Sequence, residues 1–63
     1  MIGKRLDSYL RVNSISQQAL ADKVNVSHEV ISNICVNNAD VDAILYYRIC
    51  KVLGVSLDAF LED

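Results

Sequence analysis

The chain has 63 residues, which suits one domain with a small core and excludes a second domain. Hydrophobic residues make up 52% of the sequence, and it contains no proline and only two glycines. This composition favours closely packed helices over a disordered chain or a turn-rich β fold. The formal net charge is −2, whereas nucleic-acid-binding domains usually carry a basic surface. We therefore expect one all-α domain over residues 1–63, and any nucleic acid must be bound without a strong positive field.

The sequence gives no sign of a membrane segment, a secretory signal or a metal site. No apolar run approaches the roughly 18 residues that span a bilayer, and the opening MIGKRLDSYL lacks the apolar stretch of a signal peptide. Cys35 and Cys50 have neither metal-ligand spacing nor the density of a disulfide framework. We expect both to be small buried residues, in a cytoplasmic protein with no cofactor and no membrane partner.

Apolar spacing and capping residues predict the first two helices. Ile2, Leu6, Tyr9 and Leu10 share one helical face, so the first helix is expected to run to about residue 12. A second helix is predicted over residues 17–24, where Ser16 is placed to accept from a free amide of the first turn.

The same signals predict three further helices. Ser27 can cap a helix over about residues 28–36, and Asp42 can cap another over residues 43–53, after which Gly54 suits a left-handed residue. Ser56 can cap a short fifth helix. The apolar residues expected to close the core beside that helix are Leu57, Phe60 and Leu61.

The second and third helices have the spacing of a helix-turn-helix. Two helices joined by a three-residue turn cross closely, so the crossing needs a small residue, and the sequence has Ala21 there. Four positions later the turn needs a left-handed residue, and Asn25 adopts that conformation readily. The apolar residues that would hold both helices to the domain are Leu20, Val24, Val26, Ile31 and Ile34.

With these residues the chain resembles the DNA-binding domain of phage Cro and repressor proteins, the lambda-repressor-like family. The segments IGKRLDSYL, SQQALADKVNVSHEVISNI and ICKVLGVSLDAFL fall where that family has corresponding segments, so the resemblance covers essentially the whole chain. It implies a five-helix domain. In the family an Arg of the first helix often pairs with a Glu late in the third, and this chain has Leu10 and Cys35 there. Replacing both members of a buried ion pair with apolar groups is often neutral or stabilising.

The resemblance also implies which residues contact DNA. The first residue of the second helix grips a phosphate in the family, and the start of the third helix reads base edges in the major groove. The phosphate role falls on Gln17 and the base-reading roles on His28, Glu29 and Asn33, whose side chains have suitable donors and acceptors. Ser27 and Ser32 would assist at short range. A solvated helix face would carry the same polar residue types.

The connector after the third helix departs from the family pattern. Relatives usually have a glycine and basic residues there, whereas this chain has VNNADVD. Asn37 can take the glycine conformation, and Asn37 and Asn38 can donate to phosphate. Asp40 and Asp42 would be repelled by it. We therefore expect weak phosphate affinity, to which Lys4, Arg5 and Lys23 contribute a salt dependence of only about −2 to −3 per subunit.

Three apolar residues are candidates for a protein interface. Ile44 and Leu45 fall where the resemblance implies exposed side chains, and Leu57 matches a region through which some family members self-associate. An exposed apolar cluster indicates a partner. Alternatively, a small rotation of the fourth helix would bury Ile44 and Leu45.

Two functions follow from these observations. The first is a sequence-specific DNA-binding transcriptional regulator, a repressor, acting as a homodimer on a pseudo-palindrome in double-stranded DNA. The second is a helix-turn-helix domain that has lost DNA binding and acts on another regulatory protein, as an antirepressor or dimerisation partner. The acidic connector favours the second, and the intact motif favours the first. An enzyme with a small-molecule substrate is not expected, because His28 has no acid or nucleophile at motif spacing and so short a chain has little room for a pocket.

Overall fold

The computed structural model describes residues 2–61 and shows four helices within them. They are α1 (Ile2–Val12), α2 (Gln17–Val24), α3 (His28–Asn37) and α4 (Ala43–Leu53). The described part of the chain has no β-strand. The all-α fold and the positions of the first four helices are therefore as predicted, and α3 runs one residue further than expected.

The helices begin and end at residues whose side chains or backbone suit those positions. The Ser16 hydroxyl accepts from the Ala19 amide at 3.0 Å, and the Asp42 carboxylate accepts from the Leu45 amide at 2.8 Å. Asn25 ends α2 with φ 64°, and Gly54 ends α4 with φ 71°. Local chemistry at these four residues thus sets the bounds of α2 and α4.

The core lies where α3 packs against both α1 and α2, while α2 also packs against α4. Its side chains are apolar, and none of the buried residues between positions 2 and 61 is polar or charged. Cys50 is buried as expected, whereas Cys35 is only half-buried. The fully buried hydrophobic residues are Leu6, Leu10, Leu20, Ala21, Val24, Ile31, Ile34, Ile49, Cys50 and Phe60.

A glycine allows α1 to touch the backbone of α3. Gly3 is buried in the first turn of α1, and a Cβ placed on it would lie 2.0 Å from the carbonyl oxygen of Ile34. The same Cβ would lie 3.1 Å from the side-chain oxygen of Asn38. Any larger residue would therefore push α1 away from the C-terminal half of α3.

The expected fifth helix is not formed, and residues 57–60 form turns. The Ser56 hydroxyl donates to the Asp58 carboxylate at 2.6 Å instead of capping a backbone amide. The carbonyl of Leu57, which an α-helix would pair with the amide of Leu61, accepts from the Tyr46 hydroxyl. The Leu61 amide bonds to the Asp58 carbonyl at 3.2 Å instead. The tertiary bond to Tyr46 therefore replaces the helical one.

Only one of the three apolar residues expected to close the core does so. Phe60 is buried and meets the ring of Tyr9 edge-on at 5.6 Å and that of Tyr46 at 6.5 Å, both within the range of favourable aromatic pairs. Leu57 and Leu61 are 52% and 45% exposed, which corrects the expectation for these two residues. Of these three residues, Phe60 is the one that packs the C-terminal turns against α1 and α4.

Leu10 and Cys35 occupy the two positions where relatives often carry an ion pair. Leu10 is buried and Cys35 packs against the same core. Burial, with the nearby charge of Asp7 as the second cause, raises the pKa of the Cys35 thiol from 9.0 to about 11. Asp7 itself lies 3.4 Å from Arg11 in an exposed ion pair, a kind of contact that contributes little to stability.

We expect Gly3→Ala to destabilise the protein, although the same change in an exposed helix stabilises by up to about 1 kcal/mol. The added methyl must displace the Ile34 carbonyl, and such overpacking costs about 1–3 kcal/mol. Urea unfolding followed by circular dichroism measures the effect. Ser8→Ala on the exposed side of α1 is the control and should leave the midpoint unchanged or slightly higher. A Gly3→Ala variant more stable than the parent would contradict the close approach.

We also expect the thiol of Cys35 to react slowly with iodoacetamide at pH 8, because its raised pKa leaves little thiolate. The folded state keeps the thiol proton of Cys35 to higher pH than the unfolded chain does. The contribution of this thiol to the free energy of unfolding is therefore complete below pH 9 and is lost as the pH rises towards 11. Mass spectrometry of labelled peptides separates Cys35 from Cys50. Asp7→Asn should speed the reaction, and urea-unfolded protein gives the reference rate. Equal rates in folded and unfolded protein would contradict the assignment.

Candidate nucleic-acid interface

The turn between α2 and α3 has the geometry that the sequence predicts. Ala21 is fully buried at the place where the two helices cross. Its carbonyl accepts from the Val26 amide at 3.0 Å, and the Asp22 carbonyl accepts from the Asn25 amide at 3.3 Å. These bonds, with Asn25 in the left-handed conformation, fix the angle at which α3 leaves α2.

Gln17 and Ser27 stand at the starts of the two helices. Gln17 is the first residue of α2 and is half-buried. Ser27 precedes α3 in an extended conformation, but its side chain makes no capping hydrogen bond. Its hydroxyl therefore remains available for an outside partner. The N-terminal ends of both helices carry backbone amides that favour an anion such as phosphate.

The outward face of α3 carries the residues predicted to read bases. His28, Glu29 and Asn33 are exposed, and Ser32 is half-buried. Their backbone is held by Ile31 and Ile34 on the opposite face, both buried. The structure thus places these four side chains on one rigid, accessible helix face.

The end of α3 corrects the expectation for Asn37. Asn37 is the last helical residue, and Asn38 takes the left-handed conformation with φ 55°. Both the Asn38 and the Ala39 amides donate to the carbonyl of Asn33, the latter at 3.0 Å. The Asn37 side chain donates from Nδ2 to Oδ1 of Asn33 at 2.9 Å. Asn38 rather than Asn37 therefore takes the left-handed conformation, and its side chain lies beside Gly3 of α1.

The charges around this face are mainly negative. Glu29 is in the first turn of α3, and Asp40 is exposed in the connector. Asp42 is exposed but its carboxylate is engaged with the first turn of α4. Lys23 lies in the last turn of α2. This face therefore offers directed hydrogen-bonding groups rather than a strong positive charge.

Lys4 and Arg5 are exposed residues of α1. They line an open groove of about 710 Å³ between α1 and the C-terminal turns, together with Tyr9 and Phe60. The sequence prediction that these two residues border a DNA-facing side remains a prediction.

Ile44 and Leu45 lie together, and Leu57 lies elsewhere. Ile44 is 69% exposed and Leu45 is half-buried against the core. Both line an open groove of about 580 Å³ beside the turn of the helix-turn-helix. Leu57 is not among the residues that line it. The alternative in which a rotation of α4 buries both residues is therefore wrong for Ile44, which stays exposed.

Sequence reasoning missed three residues that line this groove, Val30, Ala43 and Arg48. Val30 is 38% exposed, because it lies off the face of α3 that buries Ile31 and Ile34. The sequence did contain a signal for Val30, because an apolar residue outside the buried face of an amphipathic helix indicates an exposed apolar surface. Arg48 is exposed one turn after Ile44 and gave no signal of its own, since a lone arginine on a solvated helix is ordinary.

Residues 2–61 contain neither a membrane-spanning helix nor a metal-binding cluster. No helix there is long and apolar enough to cross a membrane. Nor do these residues include a group of three or more His, Cys, Asp or Glu side chains placed to hold a metal ion.

Comparison with known proteins identifies the family. A helix-turn-helix family model matches residues 9–60, which span α2, α3, α4 and most of the C-terminal turns. No curated protein and no solved structure gives a significant match. The family match covers most of the chain and includes the whole of the α2–turn–α3 unit. The chain is therefore a member of the helix-turn-helix family of the lambda-repressor-like type, whose domains are those of DNA-binding regulators.

Proposed function

We propose that this protein is a sequence-specific transcriptional repressor that binds double-stranded DNA with α3 in the major groove. The observation that carries the proposal is the polar outer face of α3, held rigidly by a helix-turn-helix of the family spacing. His28, Glu29 and Asn33 are the proposed base readers. Glu29 can accept from the amino group of cytosine, and Asn33 can pair with adenine through two hydrogen bonds.

The remaining predicted site residues have supporting roles in this proposal. Gln17 and the Ser27 hydroxyl contact phosphates at the starts of α2 and α3, and Ser32 adds a short-range contact. Asn38 lies at the end of α3, where its backbone comes close to the sugar-phosphate chain. Few cations support these contacts, so affinity is modest and selectivity comes mainly from base contacts.

We further propose that the repressor acts as a homodimer. Exposed Ile44 and Val30, with Leu45 below them, form an apolar groove beside the DNA-reading motif. Asp42 and Arg48 both line this groove. A twofold axis repeats each contact, so two copies can pair each aspartate with the partner's arginine. Such a dimer would present two α3 helices to half-sites about 34 Å apart.

A second function is favoured by the acidic side chains of the interface. Glu29, Asp40 and Asp42 are exposed in α3 and in the connector that follows it, and Ile44 is exposed in the first turn of α4. A domain that binds another regulatory protein through this surface would need no phosphate affinity. The two functions differ in whether selective DNA binding occurs at low salt.

We expect selective binding to a duplex chosen by the protein from a random library, measured by fluorescence anisotropy from about 50 to 200 mM salt. His28→Ala and Asn33→Ala should each lower the preference over a scrambled duplex by about 1–3 kcal/mol, since each removes base contacts. The slope of log affinity against log salt should be shallow, about −2 to −3 per subunit.

Asn13→Ala is the matched control for Asn33→Ala, because Asn13 is an exposed asparagine in the turn after α1. It should leave selectivity unchanged. Equal affinity for selected and scrambled duplexes at 50 mM salt would contradict the repressor proposal and favour the protein-binding domain.

We expect Ile44→Asp to weaken self-association at least tenfold, because it places a charge in an apolar interface and acts twice in a twofold dimer. Sedimentation velocity over a range of protein concentrations measures the effect. Val12→Asp makes the same kind of change at a residue that is 82% exposed on α1, and it should not alter self-association. A parent protein that stays monomeric on the operator would contradict the dimer.

A further inference from the structure

A hydrogen bond on the surface of α3 joins two of the asparagines near its C-terminal end. Asn37 Nδ2 donates to Asn33 Oδ1 at 2.9 Å, between side chains one helical turn apart. Both residues are exposed, so each can instead bond to water, and the bond is not needed to satisfy a buried group. Its consequence is the orientation of the Asn33 amide.

The backbone of Asn33 is held at the same time. Its carbonyl accepts from the amides of Asn38 and Ala39, which end α3 and turn the chain into the connector. Asn38 in turn lies against Gly3 of α1. Position 33 is therefore fixed through main chain and side chain, at the place where α1 supports α3.

The direction of the side-chain bond determines what Asn33 can still offer to a base. The bond uses one lone pair of Oδ1 and none of the two N–H groups of Nδ2. One acceptor site and both donors remain. Adenine in the major groove presents the N7 acceptor and the N6 amino donor, and a bidentate contact needs one acceptor and one donor from the protein.

We propose that Asn37 is a positioning residue, which orients the Asn33 amide so that Asn33 selects adenine. This inference rests on the proposed function and deepens it. The alternative roles for Asn37 are a direct phosphate contact and a purely structural bond at the helix end. Orientation before binding lowers the entropy lost when the base contact forms.

The test compares base preference at a single position of the selected duplex. The base pair read by position 33 is the one whose replacement matters in the parent protein but not in Asn33→Ala. Affinities for duplexes carrying each of the four base pairs there are measured by fluorescence anisotropy. We expect Asn33→Ala to lower the preference for A·T at this base pair about 5- to 100-fold. Asn37→Ala should also lower the preference for A·T at this base pair, and at no other base pair of the duplex.

The double variant separates positioning from an independent contact. If Asn37 acts through Asn33, Asn33→Ala/Asn37→Ala has the same base preference as Asn33→Ala. Asn33→Asp keeps an acceptor for Asn37 but removes the donors, so its preference should move from A·T towards C·G. Gln18→Ala is the matched control, because it removes a 2.9 Å side-chain bond of the same spacing, to Asp22 on α2; it should leave the preference unchanged.

Three outcomes would overturn the inference. A uniform loss of affinity in Asn37→Ala on all four duplexes would assign Asn37 to phosphate. An additive double variant, or a loss of stability without a change of preference, would assign it an independent or structural role. Failure to select any preferred duplex with the parent protein would instead overturn the proposed function, and the inference with it.

Discussion

The position of α3 depends on two small residues that let other helices approach its backbone closely. Ala21 lies at the crossing with α2 and is fully buried, and Gly3 lies against the Ile34 carbonyl at the contact with α1. The first fixes the start of α3 and the second fixes its end. Because α3 also carries the outward polar residues, these two contacts set the geometry of the whole candidate interface.

The core holds α3 in position without a buried charged residue. Where relatives often pair an Arg with a Glu between the first and third helices, Leu10 and the half-buried Cys35 pack together with the apolar core. Losing one partner alone would leave a buried charge at a cost of about 3–5 kcal/mol, whereas losing both removes the desolvation cost as well. The double replacement therefore changes the chemistry of the α1–α3 contact and keeps its packing.

The bounds of α2 and α4 could be predicted from the sequence because the ends of these two helices carry their own signals. Ser16, Asn25, Asp42 and Gly54 act within a few residues of themselves, so no knowledge of the tertiary structure was needed. The C-terminal turns could not be predicted in this way. There the Leu57 carbonyl is taken by the hydroxyl of Tyr46, a residue on α4, and local propensity contains no information about that contact.

The candidate site shows the same division between local and tertiary causes. Local sequence does not distinguish which of two adjacent asparagines takes the left-handed conformation. We expected Asn37, whereas Asn38 does so, with its side chain beside Gly3 of α1. Likewise, the outward position of Asn33 follows from helical periodicity. The hydrogen bonds that Asn33 receives from Asn37, Asn38 and Ala39 depend on how α3 ends, and they are visible only in the structure.

The acidic character of the interface bears on how such a protein can discriminate between partners. Strong positive charge raises affinity for every duplex, specific or not, whereas hydrogen bonds to base edges contribute only where the bases match. Under the proposed function, a face with Glu29 and few cations would bind random DNA weakly and would rely on the fit of a few oriented groups. For such a face, holding a side chain such as Asn33 in place before binding matters more than adding charge, because little nonspecific attraction is available to compensate for a misplaced donor.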